Sequence, residues 1–194
     1  MKRLLIILLM GGLVSCASVG KVETGENTLG ERMTVNLDGA WNQIKAPGLG
    51  PAQIWTMEGL PIDQLLIYTG LKDGEAITSK NSASGGKMKN LDFRASMTPD
   101  EIVSLFEGML TRDGSSFKLL KLEPANFGGL KKGFHFEFSL IRKVDNTQLL
   151  GMGYGAVSQG ELFAMLYQAP RLSFFPRYRG KVEQIALSAR IKQI

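Results

Sequence analysis

The chain has 194 residues, a formal net charge of +5, one cysteine and one histidine. This length is sufficient for one domain with a substantial core. A single cysteine excludes an internal disulfide and a cysteine-rich zinc site, and a lone histidine has no second histidine with which to complete a zinc shell. The basic residues form no dense run, so the composition gives no support to nucleic-acid binding.

The amino-terminal segment has the order of a secretory signal. Lys2 and Arg3 precede an apolar run over residues 4–14, and a small residue follows it, immediately before Cys16. The run contains 11 residues, whereas a helix that spans a membrane needs roughly 20. We therefore expect this segment to be cleaved rather than retained in the membrane.

The residues Leu13-Val14-Ser15-Cys16 resemble the lipobox of bacterial lipoproteins. This resemblance implies diacylglycerol on Cys16, cleavage before it, and acylation of the new amino terminus with a fatty acid such as palmitate. The plainer alternative is an ordinary signal peptide that is cleaved nearby. In lipoproteins of enteric bacteria an Asp after the cysteine favours the inner membrane; because Ala17 stands there, we expect the outer membrane, facing the periplasm.

Cleavage before Cys16 leaves 179 residues, and the loss of Lys2 and Arg3 lowers the formal charge to +3. Residues 18–30 are polar, contain glycine and lack periodicity, which is typical of a flexible tether. We therefore predict three segments: a signal peptide over residues 1–15, a lipidated cysteine with a tether over residues 16–30, and a single domain over residues 31–194.

The first part of the domain predicts an antiparallel meander. Met33, Val35 and Leu37 alternate with polar residues, which indicates a strand with one buried face. Turn signals then separate further elements. These are short strands at residues 53–57 and 63–69 and a loop with few apolar side chains at residues 79–90.

Thr98-Pro99-Asp100-Glu101 predicts the start of a helix. Thr98 can cap the helix, Pro99 suits the first helical position, and Glu101 can accept a hydrogen bond from the Thr98 amide. Apolar residues then recur at helical spacing, at Ile102, Leu105, Phe106 and Met109.

The second half of the chain predicts more strands and a final helix. Strands are expected at residues 117–122, 133–143, 148–157 and 162–168. The last of these is apolar on both faces, which indicates a central strand covered by a helix. That helix is expected over residues 176–190. The predicted fold class is therefore α+β, an antiparallel sheet flanked by two main helices.

The carboxyl-terminal part resembles a known superfamily. A hairpin that ends at residues 160–170, the stretch Phe174-Phe175-Pro176-Arg177-Tyr178, and a helix that closes on residues 185–189 are similar to the end of PsbP-like domains. That superfamily includes small envelope lipoproteins of the DcrB type. The resemblance implies an assembly or accessory factor rather than an enzyme. Residues 55–63 have no counterpart that we can place.

Catalytic and metal-binding patterns are weak. His135, Glu137 and Ser139 share one face of a predicted strand, opposite three phenylalanines. They could form half of a nucleophilic site, but a polar face opposite a phenylalanine core is the simpler interpretation, and we favour it. We expect no metal, no cofactor and no catalysis.

Glycines occupy alternate positions of another predicted strand, at Gly151, Gly153 and Gly155. A bare face of this kind permits close approach by another group. We predict that the carboxyl-terminal helix packs on this face, with a ligand groove as the alternative.

One cluster could face a partner. Aromatic and arginine residues are enriched at binding hot spots, and they gather near the end of the chain, at Arg171, Phe174, Phe175, Arg177, Tyr178 and Arg179. The alternative, which we favour, is that the aromatic side chains fill the sheet edge and the cations are solvated.

These observations favour a lipid-anchored envelope accessory or assembly factor that acts by protein binding. Its expected partners are the membrane, through Cys16, and an envelope protein. The alternative is a carrier or sensor of a small apolar ligand held between sheet and helix.

Overall fold

The computed structural model describes residues 17–79 and 91–193. The signal peptide, Cys16 and most of the predicted loop at 79–90 lie outside these residues. The described part contains two helices, α1 (Pro99–Leu110) and α2 (Phe174–Ser188). Its strands are β1 (Ser18–Val22), β2 (Gly25–Leu29), β3 (Met33–Leu37), β4 (Trp41–Lys45), β5 (Gln53–Thr56), β6 (Gln64–Lys72), β7 (Ser116–Phe127), β8 (Leu130–Ile141), β9 (Gln148–Ser158), β10 (Glu161–Pro170) and β11 (Arg190–Ile191).

Most strands belong to one large antiparallel sheet. Its eight strands are arranged in the order β1-β4-β5-β6-β10-β9-β8-β7, and a small sheet has the order β11-β3-β2. The fold is therefore mixed, with a large antiparallel sheet and two helices. No helix within residues 17–79 and 91–193 is long and apolar enough to cross a membrane.

Strand β10 lies in the interior of the large sheet, paired with β6 and β9. Its side chains enter two different cores: Phe163, Met165 and Tyr167 lie in the first core, and Leu162, Ala164 and Leu166 lie in the second. Because successive side chains of a strand point to opposite faces, the two cores lie on opposite faces of the sheet. The prediction of a buried central strand is confirmed.

Each helix belongs to one of these cores. The first core contains α2 together with β3 of the small sheet, through Met33, Val35, Leu37, Phe175, Tyr178, Val182, Ile185 and Ala186. The second core contains α1, through Ile102, Val103 and Phe106. The start of α1 is as predicted, since the Glu101 carboxylate accepts a hydrogen bond from the Thr98 amide at 2.8 Å.

The polar segment predicted as a tether forms two strands instead. All five residues of β1 pair with β4, and β2 pairs with β3. Strand β1 lies at the sheet edge, where backbone hydrogen bonds to one neighbour hold it without a buried apolar face. Its polar sequence therefore gave no strand signal, and the ordered domain begins near Ser18 rather than near Glu31.

The bare face of β9, at Gly151, Gly153 and Gly155, is covered by aromatic rings and not by α2. A Cβ on Gly151, Gly153 or Gly155 would overlap the ring of the phenylalanine opposite it on β8, which is Phe138, Phe136 or Phe134 respectively. These rings lie in the second core, whereas α2 packs on the other face of β9, against Met152, Tyr154 and Ala156. The predicted helix contact was wrong because the sequence pattern shows a bare face without showing which neighbour fills it.

Replacement of Gly153 by valine should destabilise the domain. The added side chain would overlap the Phe136 ring and lie close to the Met165 carbonyl; overpacking of this kind typically costs about 1–3 kcal/mol. Thermal unfolding of the domain from Ser18 should show a lower midpoint for Gly153→Val. The control is Gly20→Val in edge strand β1, where the nearest contact to a Cβ is 3.8 Å. Equal midpoints for both variants would contradict this account.

Candidate interaction surface

The predicted aromatic and basic cluster lies at the start of α2, but only part of it is on the surface. Phe175 and Tyr178 are buried in the first core. The Phe175 ring stacks on that of Tyr167, with 6.1 Å between the ring centroids. Phe174 is partly buried beside them. Two of the six candidate residues are therefore core residues, as the favoured interpretation of this cluster predicts.

The arginines of this cluster remain exposed and have acidic or polar partners in the chain. Arg177 lies 3.3 Å from Glu58, and its guanidinium covers the Phe174 ring at 5.4 Å. Arg179 lies 2.7 Å from Glu137. Exposed pairs of this kind contribute little stability. They connect α2 to the β5–β6 loop and to β8, so these two guanidinium groups are not free cations.

Arg171 differs from the other two arginines in its partner. Its guanidinium lies 3.4 Å from the Gln148 side-chain oxygen, and its backbone amide donates to the Gln148 carbonyl at 3.0 Å. It has a neutral partner, and its charge is exposed at the end of β10.

Glu58 makes a second contact with α2, in addition to its ion pair with Arg177. It accepts a hydrogen bond from the Tyr178 hydroxyl. This bond, together with desolvation, raises the pKa of Tyr178 above its usual value. The tyrosine therefore stays a hydrogen-bond donor at physiological pH.

The β5–β6 loop is held by the buried carboxylate of Asp63. Asp63 accepts hydrogen bonds from the Thr56 hydroxyl at 2.6 Å and from the amides of Met57 and Glu58 at 3.0 and 2.8 Å. The loop lies within residues 55–63, the segment for which the resemblance to PsbP-like domains offers no counterpart. The role of Asp63 does not follow from the sequence, because no local pattern shows that its carboxylate is buried.

Three loops meet at one end of the large sheet, as the strand register shows. Gln64 pairs with Gln168, and Gln148 pairs with Ile141. The ends of β5, β8 and β10 are therefore level with one another. The Arg142 guanidinium connects two of these loops, because it donates to the Pro61 carbonyl at 2.8 Å and binds Asp145 at 2.6 Å. This contact holds the pKa of Asp145 well below its usual range.

Apolar side chains project from this end of the sheet. Leu172 is 87% exposed and Val144 is 83% exposed; Leu60 and Ile141 are exposed to a lesser degree. We call these four residues, Leu60, Ile141, Val144 and Leu172, the loop-end surface. Lys143 and Arg171 are exposed beside it. This surface is absent from the sequence-based predictions, although a single apolar residue between charged neighbours, as at Val144, was a signal.

His135 is not on a solvated face, although the predicted alternation is correct. Phe134, Phe136 and Phe138 lie in the second core. His135, on the opposite face, is buried because the Tyr154 ring from β9 stacks on it at 4.5 Å. Its Nδ1 atom lies 3.1 Å from a Glu123 carboxylate oxygen. The prediction of a polar face opposite a phenylalanine core is therefore confirmed, although His135 itself is buried.

Neighbouring acidic groups do not gather into a metal site near His135. Glu137 binds Arg179, and Glu123 is shared between His135 and Lys121. In the part of the chain that the structure describes, no three His, Cys, Asp or Glu side chains are grouped as metal ligands.

A cleft lies between the sheet and the end of α1. Its volume is about 450 Å³, and its walls combine apolar and polar side chains, among them Ile54, Leu66, Tyr68, Met109, Leu110 and Arg112. The Tyr68 hydroxyl donates to the Ile77 carbonyl at 3.0 Å, and burial raises the pKa of this tyrosine. Arg112 donates to the Thr78 hydroxyl at 2.9 Å. The cleft is therefore lined by apolar, neutral polar and charged side chains.

Substitution of Asp63 should lower stability. In Asp63→Asn an NH₂ group replaces one carboxylate oxygen and cannot accept the hydrogen bonds that this oxygen accepts. Each buried donor left without an acceptor costs about 1–3 kcal/mol. Chemical denaturation should show a lower midpoint, whereas the control Asp38→Asn, at an exposed carboxylate paired with Lys181, should unfold normally. An unchanged midpoint for Asp63→Asn would show that the carboxylate does not hold the loop.

Comparison with known proteins gives a structural likeness only. No family model matches the chain, and no curated protein sequence matches it. The solution structure of cyanobacterial PsbP (CyanoP) from Synechocystis sp. PCC 6803 is similar, with a TM-score of 0.57 and 12% identity over 93% of this chain and 96% of that one. LpqN, involved in cell envelope biogenesis of Mycobacterium tuberculosis, has a TM-score of 0.46 and 12% identity over 90% of this chain and 92% of its own. The fold of the chain is therefore PsbP-like, as the resemblance at the carboxyl terminus implies.

Proposed function

We propose that this protein is a lipid-anchored accessory or assembly factor of the bacterial envelope. It acts without catalysis, by binding another protein through the loop-end surface. The anchor is on Cys16, and the domain faces the periplasm from the outer membrane. The motif Leu13-Val14-Ser15-Cys16 supports the anchor.

One observation supports the binding function most directly. Apolar side chains are exposed on loops that hydrogen bonds hold in place. Leu172 and Val144 are mostly exposed, yet their loops are held by the contacts of Arg171 and Arg142. A partner that covers these side chains gains apolar burial. It also pays less ordering entropy than it would on a free segment.

Charge adds specificity to this surface. The exposed charge of Arg171, whose partner Gln148 is neutral, lies beside Leu172, and complementary charges steer association and fix orientation. The expected partner therefore has an apolar centre with an acidic rim.

The cleft supports a second candidate function, the carriage or sensing of a small apolar ligand. It lies between sheet and helix, and Ile54, Leu66 and Met109 contribute apolar wall. The two functions differ in which substitution removes activity. Leu172→Glu should remove activity if the protein binds a partner. Ala52→Phe, which fills the cleft, should remove activity if the protein carries or senses a ligand.

Lipid attachment should depend on Cys16. Cells that express Cys16→Ala should incorporate no labelled fatty acid into the protein, because the chain has no other cysteine. The control Ser15→Ala keeps a small residue before the cysteine and should label normally. Undiminished label in Cys16→Ala would refute the anchor.

Protein binding should depend on Leu172. A photo-crosslinking residue at position 172 should give a defined crosslinked species in native envelopes. The same residue at position 187 should not, because Leu187 is 57% exposed but lies on α2, away from the loop-end surface. Val144→Glu should remove the species, since loss of a central apolar contact costs about 2 kcal/mol or more. Equal crosslinking from both positions would count against this surface.

A further inference from the structure

We propose that one corner of the large sheet, formed by the start of β1, the end of β4 and the β4–β5 loop, lies directly against an anionic phospholipid surface. This inference rests on the proposed anchor at Cys16. It adds the surface of the domain that contacts the bilayer and the direction in which the loop-end surface points.

The distance between the anchor and the sheet is the first argument. Ala17 is the only residue between Cys16 and β1, and two extended residues span about 7 Å at most. Strand β1 is fixed to β4 by five paired residues, with Ser18 opposite Lys45. Because β1 begins at Ser18, where a tether was expected, the acylated residue cannot be farther than this from the sheet edge.

The composition of the surface beside Ser18 is the second argument. A shallow concavity of about 480 Å³ is formed there by Ser18, Gln43, Ile44, Lys45, Ala46, Pro47, Leu49, Gly50, Ala52 and Gln53. Lys45 is the charged side chain among these described residues, and no carboxylate lines the concavity. Leu49 and, on β1, Val19 are exposed. Exposed apolar residues beside a cation fit the interface of an anionic bilayer.

The direction of β1 then orients the rest of the domain. The strand runs from Ser18, opposite Lys45, to Val22, opposite Trp41. Trp41 is next to Asn42, which pairs with Thr56 where the β5–β6 loop begins. The loop-end surface is therefore at the far end of the strands, about 13 Å along β1 from Ser18. Contact with the bilayer at the Ser18 end leaves the loop-end surface accessible to a protein.

Hydrogen exchange can locate the contact without any added label. The chain from Cys16 is coupled through its only thiol to a maleimide lipid in vesicles of phosphatidylethanolamine and phosphatidylglycerol, so that the test does not depend on lipidation in cells. The reference is the same chain, capped at the thiol, free in solution. We expect residues 46–52 to exchange several-fold more slowly on vesicles, with unchanged exchange at residues 142–147 and 171–173.

Matched variants test the chemistry of the surface. Lys45→Glu with Leu49→Glu should reduce this protection, whereas Lys118→Glu with Leu120→Glu, exposed residues of β7 at the opposite edge, should not. Unchanged exchange at residues 46–52, protection at residues 142–147 or 171–173 instead, or equal loss in both variants would each overturn the proposal. Failure of crosslinking at position 172 would refute the partner-binding function and leave this result unaffected.

Discussion

Strand β10 has apolar side chains on both faces, and most of the domain serves to cover them. A strand of this kind cannot lie at an edge or face water, so it needs a neighbour on each side and a layer on each face. Strands β6 and β9 are its neighbours. Helix α2 with β3 closes the first core, and α1 with the phenylalanines of β8 closes the second. The remaining strands extend the sheet and position its loops.

The elements that bury apolar side chains were predictable from the sequence, and those that depend on backbone pairing were not. The capped start of α1 and the alternation of β3 follow from local patterns that agree with the structure. Strand β1 has no such pattern, since its hydrogen bonds with β4 are made by backbone groups that every residue carries. The glycines of β9 showed a bare face, but only the register with β8 shows that Phe136 covers Gly153.

The predicted aromatic and basic cluster lies beside the loop-end surface, but two of its aromatic side chains are buried. Phe175 and Tyr178 looked suited to a partner and are instead used in the core. Leu172, in the same stretch, is exposed. Which of several neighbouring apolar residues points inward depends on how α2 meets the sheet, and that is a tertiary property. The role of Asp63 was hidden for a similar reason, since it depends on a loop that folds back on its carboxylate.

The position of β1 also bears on the proposed lipidation of Cys16. If Cys16 is lipidated as proposed, the enzymes that modify and cleave there would need the surrounding backbone in their own active sites, and this backbone is continuous with β1. Strand β1 pairs with β4 alone, so the other strands of the large sheet can assemble while β1 is still extended toward the membrane. Under the proposed lipidation, β1 would attach to β4 after the other strands have assembled, and this step would bring the domain to the bilayer.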